Sequence, residues 1–568
     1  MLNVIGVARF SRHPPSHFSE RKGAVDEFRI TNETPSDWQK MNLIRTFFWV
    51  LCLAGTVLAE RTTPPNVVFI LTDDQSWDSI GFLGGKVHTP RLDRMAKEGM
   101  QLTDFNVTST VCSPSRYSFL TGRYAGRCKA PRFMTEHPPG DQTQVENIGE
   151  LELEGWNLAK LLQKHGYQTG FVGKSHVVNH HWFHGRWEGT GLESYPVDAD
   201  PRDPVVNAKM RRNHRRWCEA IKPYGFDYVD GVYAANLKEL QNATLNVHNL
   251  DWTVSKALQF LEAQKSQGAG TKRAPFFLYF STTLHHGPAP WANRFSLESD
   301  PRFTGEGFVP EGFDVLPSRA DVLRRNKDAG FADNKAFALW LDDGVGALID
   351  KVRELGMERD TLVIFTSDHG SWRHGKATLY DFGLRVPVIL QWPGRIKPGS
   401  QYNGLLANID LAPTILDLCG IQPPKDYMMD GVSFAPQIFG DRSPVREVLF
   451  GELGHSRMVK TQDWKYIAVR YPKKLQERID RGTTFKGFDG ATLKRPYLTR
   501  NGHLGHYASR KNPHYFESDQ LFHLKTDVEE IRNVYERHPL VVQQMKAHLL
   551  SALKQFENRP FGEFVPAP

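Results

Sequence analysis

The chain has 568 residues, 40% hydrophobic and 24% charged, the make-up of an ordinary soluble globular protein with room for a large core and two to four domains. A net charge of +7, with a pI near 8.9, permits an anionic partner without demanding one. Five cysteines at irregular spacing suggest neither a disulfide scaffold nor a zinc module.

The first 40 residues are polar and patternless. From Met41, "MNLIRTFFWVLCLAGTVLAE" combines a basic Arg45, an apolar run over Phe47–Leu58 and Val57-x-Ala59 before Glu60. This reads as a signal peptide cut after Ala59, with Met41 the true start and residues 1–40 an over-extended gene start. The apolar run falls short of the roughly 20 residues that span a bilayer, so export without stable membrane insertion is expected. Cys52 follows Leu51, too large for a lipoprotein attachment site. Cleavage leaves Cys112, Cys128, Cys218 and Cys419. In an oxidising compartment one bridge, Cys128 with Cys218, is conceivable.

Short apolar runs then end abruptly in polar residues: "NVVFILTDDQ" (66–75), "TGFVGKSH" (169–176), "PFFLYFSTTLHHGP" (275–288) and "TLVIFTSDHG" (361–370). Such runs suit strands buried on both faces. Helical patterns at 155–167 and 337–356 lie between them, which argues for a layered α/β domain with ligands bound beyond the carboxyl ends of the strands. After about Asp441 the texture changes. "DWKYIAVRYP" (463–472) reads as a strand and 538–557 as an amphipathic helix, so a smaller C-terminal domain over 441–568 is expected beside a catalytic domain over 60–440.

Asp73-Asp74 and Asp368-His369 stand at two strand ends. Three carboxylates and an imidazole form a mostly hard ligand set, better suited to Ca²⁺ or Mg²⁺ than to zinc. In "TSTVCSPSRYSFLTGR" (108–123), Pro114 pre-sets a helix start, and Arg116 shares a helix face with Cys112. A helix start carrying an arginine favours an anion. A thiolate nucleophile ought to have a base beside it, and a thiolate is an odd ligand for a hard cation.

"CSPSRYSFLTGR" resembles the type I sulfatase signature, in which a maturation enzyme oxidises the cysteine to Cα-formylglycine. "NVVFILTDDQ", "HTPRLDRMAKEGMQLTDFNVTSTVCSPSR" (88–116), "GYQTGFVGKSH", "FTSDHG", "HGKATLYDFGLRVPVILQWPG" (374–394), "NIDLAPTILDLCG" (408–420) and "DQLFHLKTDVEEIRN" (519–533) resemble that family's segments in its order. The resemblance covers nearly all of residues 65–535, except stretches near 180–218, 295–331 and 473–513.

The resemblance implies an alkaline-phosphatase-like α/β fold with a large central mixed sheet, plus a C-terminal antiparallel sheet and helix. It assigns Asp73, Asp74, Asp368 and His369, with the formylglycine from Cys112, to one divalent cation, Ca²⁺ before Mg²⁺; many relatives have Asn at the position of His369. One hydroxyl of the hydrated aldehyde attacks sulfur with Asp368 assisting, and the other expels sulfate, with His176 as base. Arg116 and Lys174 stabilise the formylglycine, while Lys376 and His286 bind sulfate and help the leaving oxygen. His286 is preferred to His285 because His286-Gly287-Pro288 fits the family's His-x-Pro. Trp372, His374 and the cluster His180, His181 and His184 have no clear family role and are candidates for the pocket lining.

The expected reaction is hydrolysis of a sulfate ester, of a sulfated glycan or aryl sulfate, with an N-sulfate as a variant. The alternatives are a phosphoester or phosphonate hydrolase and a non-catalytic sulfoglycan-binding protein. The basic stretches 211–217 and 473–511 mix charge with aromatics and suit a sulfated polysaccharide; export disfavours nucleic acid. Besides substrate, the implied partner is the maturase, and the oligomeric state stays open.

Overall fold

The strand β1 (Asn66–Thr72) is buried along its whole length, and its side chains alternate between two cores. Val67, Phe69 and Leu71 pack with Phe119, Leu120 and Leu158, whereas Val68 and Ile70 pack with Leu250, Val254 and Leu339 on the opposite face. A two-residue side-chain period forces that division, and it explains why the segment reads as an unbroken apolar run. In this computed structural model, residues 64–179, 187–265, 273–289, 295–371 and 375–564 are described.

Seven further strands complete the sheet: β2 (Met100–Leu102), β3 (Gln168–Lys174), β4 (Tyr228–Tyr233), β5 (Phe276–Ser281), β6 (Thr361–Ser367), β7 (Val388–Gln391) and β8 (Ser400–Tyr402). Their order is β8-β2-β7-β6-β1-β5-β3-β4. The run from β6 through β1, β5 and β3 to β4 is parallel, with Val67 opposite Phe277 on one side and Leu362 on the other. β7 is antiparallel to both β6 and β2, so the sheet is mixed. On one face lie helices α1 (Pro90–Glu98), α5 (Leu250–Ala263) and α6 (Ala336–Glu354); on the other lie α2 (Cys112–Thr121) and α3 (Leu158–Lys164). The four apolar runs form β1, β3, β5 and β6, and all four release their polar tails at one edge of the sheet.

The C-terminal strands β9 (Leu449–Leu453), β10 (Ser456–Lys460), β11 (Trp464–Val469) and β12 (Asp519–His523) form an antiparallel sheet in sequential order. Val542, Met545 and Leu549 of α8 (Pro539–Leu553) are buried in the same apolar cluster as Val459, Tyr466 and Phe522. That cluster is continuous with the core on the α2 face. Buried lysines reinforce the junction. Lys460 Nζ lies 2.9 Å from Asp104 and 3.1 Å from Asp381, and Lys465 Nζ lies 2.5 Å from Asp381 and 2.7 Å from Glu530.

One expectation changes. Cys112, Cys128, Cys218 and Cys419 are all free and buried, so the Cys128–Cys218 bridge is absent. Cys128 Sγ instead donates to the Glu150 carbonyl at 3.2 Å, and Cys218 Sγ packs 3.6 Å from His214 Nε2. The basic stretch 211–217 lies inside helix α4 (Pro204–Ile221), with Asn213, His214 and Trp217 turned into the core. Of its four arginines, Arg212 clamps Glu193 and Arg211 donates to the Phe308 carbonyl at 3.1 Å, while Arg215 and Arg216 lie exposed. Among the described residues no helix is long and apolar enough to cross a membrane. The leader at 41–59, Trp372, His374 and the histidines at 180, 181 and 184 lie outside the described residues.

Candidate active site

Asp73 and Asp74 leave the end of β1, and Asp368 and His369 leave the adjacent end of β6. The two strand ends are tied by Asp368 N donating to the Thr72 carbonyl at 3.0 Å and by Asp74 N donating to Asp368 Oδ1 at 3.2 Å. Asp74 holds a φ of 57°, His176 of 52° and Ala377 of 62°, a left-handed backbone that non-glycine residues rarely adopt. Such strain gathers at sites where the surroundings over-determine the geometry. At the end of β3, Gly173 has a φ of 101°, and a Cβ there would fall 1.9 Å from the Ser281 carbonyl oxygen. Only glycine permits that approach, and the register of β3 against β4 shifts between Val172 and Lys174. Lys174, next in the chain, points into the site.

Cys112 opens α2. Asn408 holds this entry in place: its Oδ1 accepts from Thr108 N at 3.0 Å and its Nδ2 donates to the Ser115 carbonyl at 3.2 Å. The sulfur lies 3.3 Å from His369 Nε2, 3.6 Å from Asp73 Oδ1, 3.6 Å from Lys174 Nζ and 3.8 Å from Lys376 Nζ. Burial pushes the Cys112 thiol up, but Lys174 and Lys376 overcome it and hold the group down at about 7.

Arg116, one turn further along α2, is fully buried and joins three strand ends. Its Nε donates to Asp368 Oδ2 at 3.0 Å, Nη2 lies 2.9 Å from the same oxygen, and Nη1 donates to the Lys174 carbonyl at 3.1 Å and to Ser281 Oγ. Lys174 pairs with Asp73 and donates to Asn236 Oδ1 at 2.7 Å; Lys376 pairs with Asp74 at 2.7 Å. Against the penalty of burial, Lys174, His286 and Arg116 hold the Asp73 carboxyl well below the usual range. Asp368 moves the other way, to about 7, because burial and the Asp73 charge outweigh His369 and Arg116.

His369 Nδ1 lies 2.9 Å from the Gly370 carbonyl, so the Nδ1–H donates there and Nε2 is left to face the carboxylates, 3.4 Å from Asp74 Oδ1 and 3.6 Å from Asp368 Oδ1. One ligand atom each from Asp73, Cys112, Asp368 and His369 lies within 4.8 Å of the others. Asp74, Cys112 and His286 form a second such group. His176 is buried with Nδ1 unpartnered, and its backbone N donates to the Ala234 carbonyl at 2.9 Å. Burial first, then the nearby Lys174 and Arg116, keeps it neutral.

The structure thus gathers Asp73, Asp74, Cys112, Arg116, Lys174, Asp368, His369 and Lys376 around one point, with His286 beside them and His176 on the flank. The sequence reading missed Asn236, Ser281 and Asn408. Each is a single polar residue whose partner is distant in the chain, and nothing local marks it.

A family model described as Sulfatase matches residues 65–421, and one described as N-sulphoglucosamine sulphohydrolase, C-terminal, matches 368–483. Arylsulfatase A of Bos taurus is 31% identical over 426 residues, covering 71% of this chain and 73% of that protein. The chain belongs to the sulfatase family. It is a hydrolase of sulfate groups. N-acetylgalactosamine-6-sulfatase of Mus musculus is 28% identical over 505 residues, with 83% of this sulfatase and 86% of the relative aligned. A Bacteroides thetaiotaomicron structure, titled for the metabolism of multiple glycosaminoglycans, superposes with a TM-score of 0.57 at 20% identity, covering 87% of this chain and all of the other.

Proposed function

We propose that this sulfatase is exported and releases inorganic sulfate from an O-sulfated sugar, using Cys112 in its formylglycine form and one divalent cation. The observation that carries the reading is the position of Cys112 Sγ, 3.3 to 3.8 Å from His369, Asp73, Lys174 and Lys376 at the start of a helix. Here the sulfur stands in for the formylglycine oxygens.

Asp73, Asp74, Asp368 and His369 fit a hard cation. The donor set is right, and burial together with the Asp73 charge pushes Asp368 up to about 7, a crowding of negative charge that a cation relieves. When bound, the cation would polarise the sulfate and favour the ionised nucleophile. Three carboxylates and three cationic side chains cancel formally, so a divalent ion leaves the site positive and selective for an anionic group.

The side chains have separate tasks. Arg116 fixes Asp368 and locks the ends of β3, β5 and β6. Lys174 and Lys376 flank the nucleophile, where charge grows on the sulfate oxygens. His286 Nδ1 lies 3.1 Å from the Gly287 carbonyl and donates its proton there, which leaves Nε2 to take up and deliver a proton. His176, neutral and unpartnered at Nδ1, is free to act as a base. The match of 368–483 to the N-sulphoglucosamine sulphohydrolase model favours one second reading, an N-sulfated amino sugar.

The test combines peptide mass spectrometry of the Cys112 segment with sulfate release from matched O- and N-sulfated monosaccharides. Formylglycine and release from the O-sulfated sugar are expected, with activity lost in Cys112→Ala. Full activity with unmodified cysteine would refute the mechanism, and release confined to the N-sulfate would favour the second reading.

A further inference from the structure

Residues 473–511 carry ten Lys and Arg against three Asp and Glu, a net charge equal to the +7 of the whole chain. The rest of the molecule is therefore balanced, and the excess is local. Residues 484–511 also lie outside both family matches. Much of this segment has its own small core: Tyr497, Leu498 and Ala508 are buried with Val469, Tyr471 and Tyr515.

Helix α7 (Gly502–Lys511) turns Gly505 and Ala508 into that core and presents His503, Tyr507, Arg510 and Lys511 outward at i, i+4, i+7 and i+8. Phe488, 59% exposed, stacks edge-on against His503 at 5.0 Å between ring centroids, and His503 lies 4.8 Å from Tyr507. The result is an open aromatic strip bordered by positive charge.

One hydrogen-bonded tether and one neighbouring charge connect the strip with segments that lead to the active site. On one side Arg500 N donates to Glu146 Oε1 at 3.0 Å, and the next residue, Asn147, accepts from Ser113 N, adjacent to Cys112, at 3.3 Å. On the other, His503 lies within the electrostatic reach of the exposed Lys238, two residues after the Asn236 that holds Lys174.

We propose that Phe488, His503 and Tyr507, flanked by Lys238, Arg510 and Lys511, form a subsite for the sugar units of an anionic oligosaccharide beyond the one whose sulfate is removed. This rests on the sulfated-sugar reading above. Apolar sugar faces stack on aromatic rings, while the basic border pairs with further sulfates or carboxylates. A monosaccharide sulfate or an aryl sulfate has no second sugar unit to place on the strip.

The experiment compares the wild type with Phe488→Ala/Tyr507→Ala and with Tyr507→Phe, both confined to exposed rings. The probes are 4-nitrophenyl sulfate and size-defined chondroitin and heparan sulfate di- and tetrasaccharides. Binding is read by calorimetry and turnover by released sulfate. The double variant should keep kcat/KM on 4-nitrophenyl sulfate and lose about tenfold in tetrasaccharide affinity and kcat/KM, roughly what two ring contacts supply. Tyr507→Phe should retain wild-type values. Unchanged tetrasaccharide binding in the double variant, equal losses on both substrate classes, or no tetrasaccharide binding by the wild type would each overturn the subsite. Tetrasaccharide binding that depends on the rings, without sulfate release from any sugar, would uphold the subsite and overturn the function proposed above.

Discussion

Replacing Lys465 by Met removes the cation that holds Asp381 and Glu530 together at the junction between the two sheets. All three groups lie in a buried network: Lys465 Nζ is 2.5 Å from Asp381 and 2.7 Å from Glu530, and Lys460 remains on Asp381 at 3.1 Å. Asp381 therefore keeps one partner, whereas Glu530 is left with its charge unpaired. Breaking a buried pair by removing one partner typically costs about 3–5 kcal/mol. The size of the loss depends on pH in a fixed direction. Burial, opposed by Lys465, already pushes Glu530 up to about 7 against an ordinary 4.5. The folded form holds that proton more tightly than the unfolded chain, so its contribution to stability falls as pH rises from about 4.5 through the folded value. Without Lys465 the folded value climbs further. Urea unfolding should thus give a deficit of about 3–5 kcal/mol at pH 8 and about 1–2 kcal/mol at pH 5, where Glu530 is neutral. Adding Glu530→Gln should recover most of the loss at pH 8. A deficit equal at both pH values, or below about 1 kcal/mol at pH 8, would refute the reasoning.

His286→Ala should lower kcat/KM by about 10²–10⁴ on a sugar sulfate and far less on 4-nitrophenyl sulfate, whose leaving group needs no proton; equal losses would mean that the histidine only binds sulfate. Asn408→Ala strips the Thr108 N–H of its partner and loosens the start of α2. Urea unfolding should register about 1–3 kcal/mol, with a fall in kcat at nearly constant KM, and a variant unchanged in both would remove Asn408 from the positioning of Cys112.

The strands were legible because a segment buried on both faces must be apolar throughout, and the four runs ending at Gln75, His176, Pro288 and Gly370 state that constraint locally. The chemistry of the site was equally local: adjacent carboxylates, a cysteine before Pro-Ser-Arg, and a histidine after a strand are each spelled within a few residues. Other features depended on distance. Asn236, Ser281 and Asn408 act on Lys174, Arg116 and Ser115 across 62, 165 and 293 residues, relations that only the packing of the folded chain creates. In the basic stretch at 211–217 helix α4 turned Asn213, His214 and Trp217 into the core and left Arg212, Arg215 and Arg216 exposed, because helical phase decides which side chains meet solvent. The segment 473–511 kept its surface charge, and only the folding of its helix against Tyr497 gathered part of that charge around Phe488, His503 and Tyr507. Sequence alone therefore determined which groups are present and which strands carry them. Tertiary structure decided which groups neutralise one another and which remain available to an anion, because Coulomb interactions and desolvation depend on separations through space, which chain order does not encode.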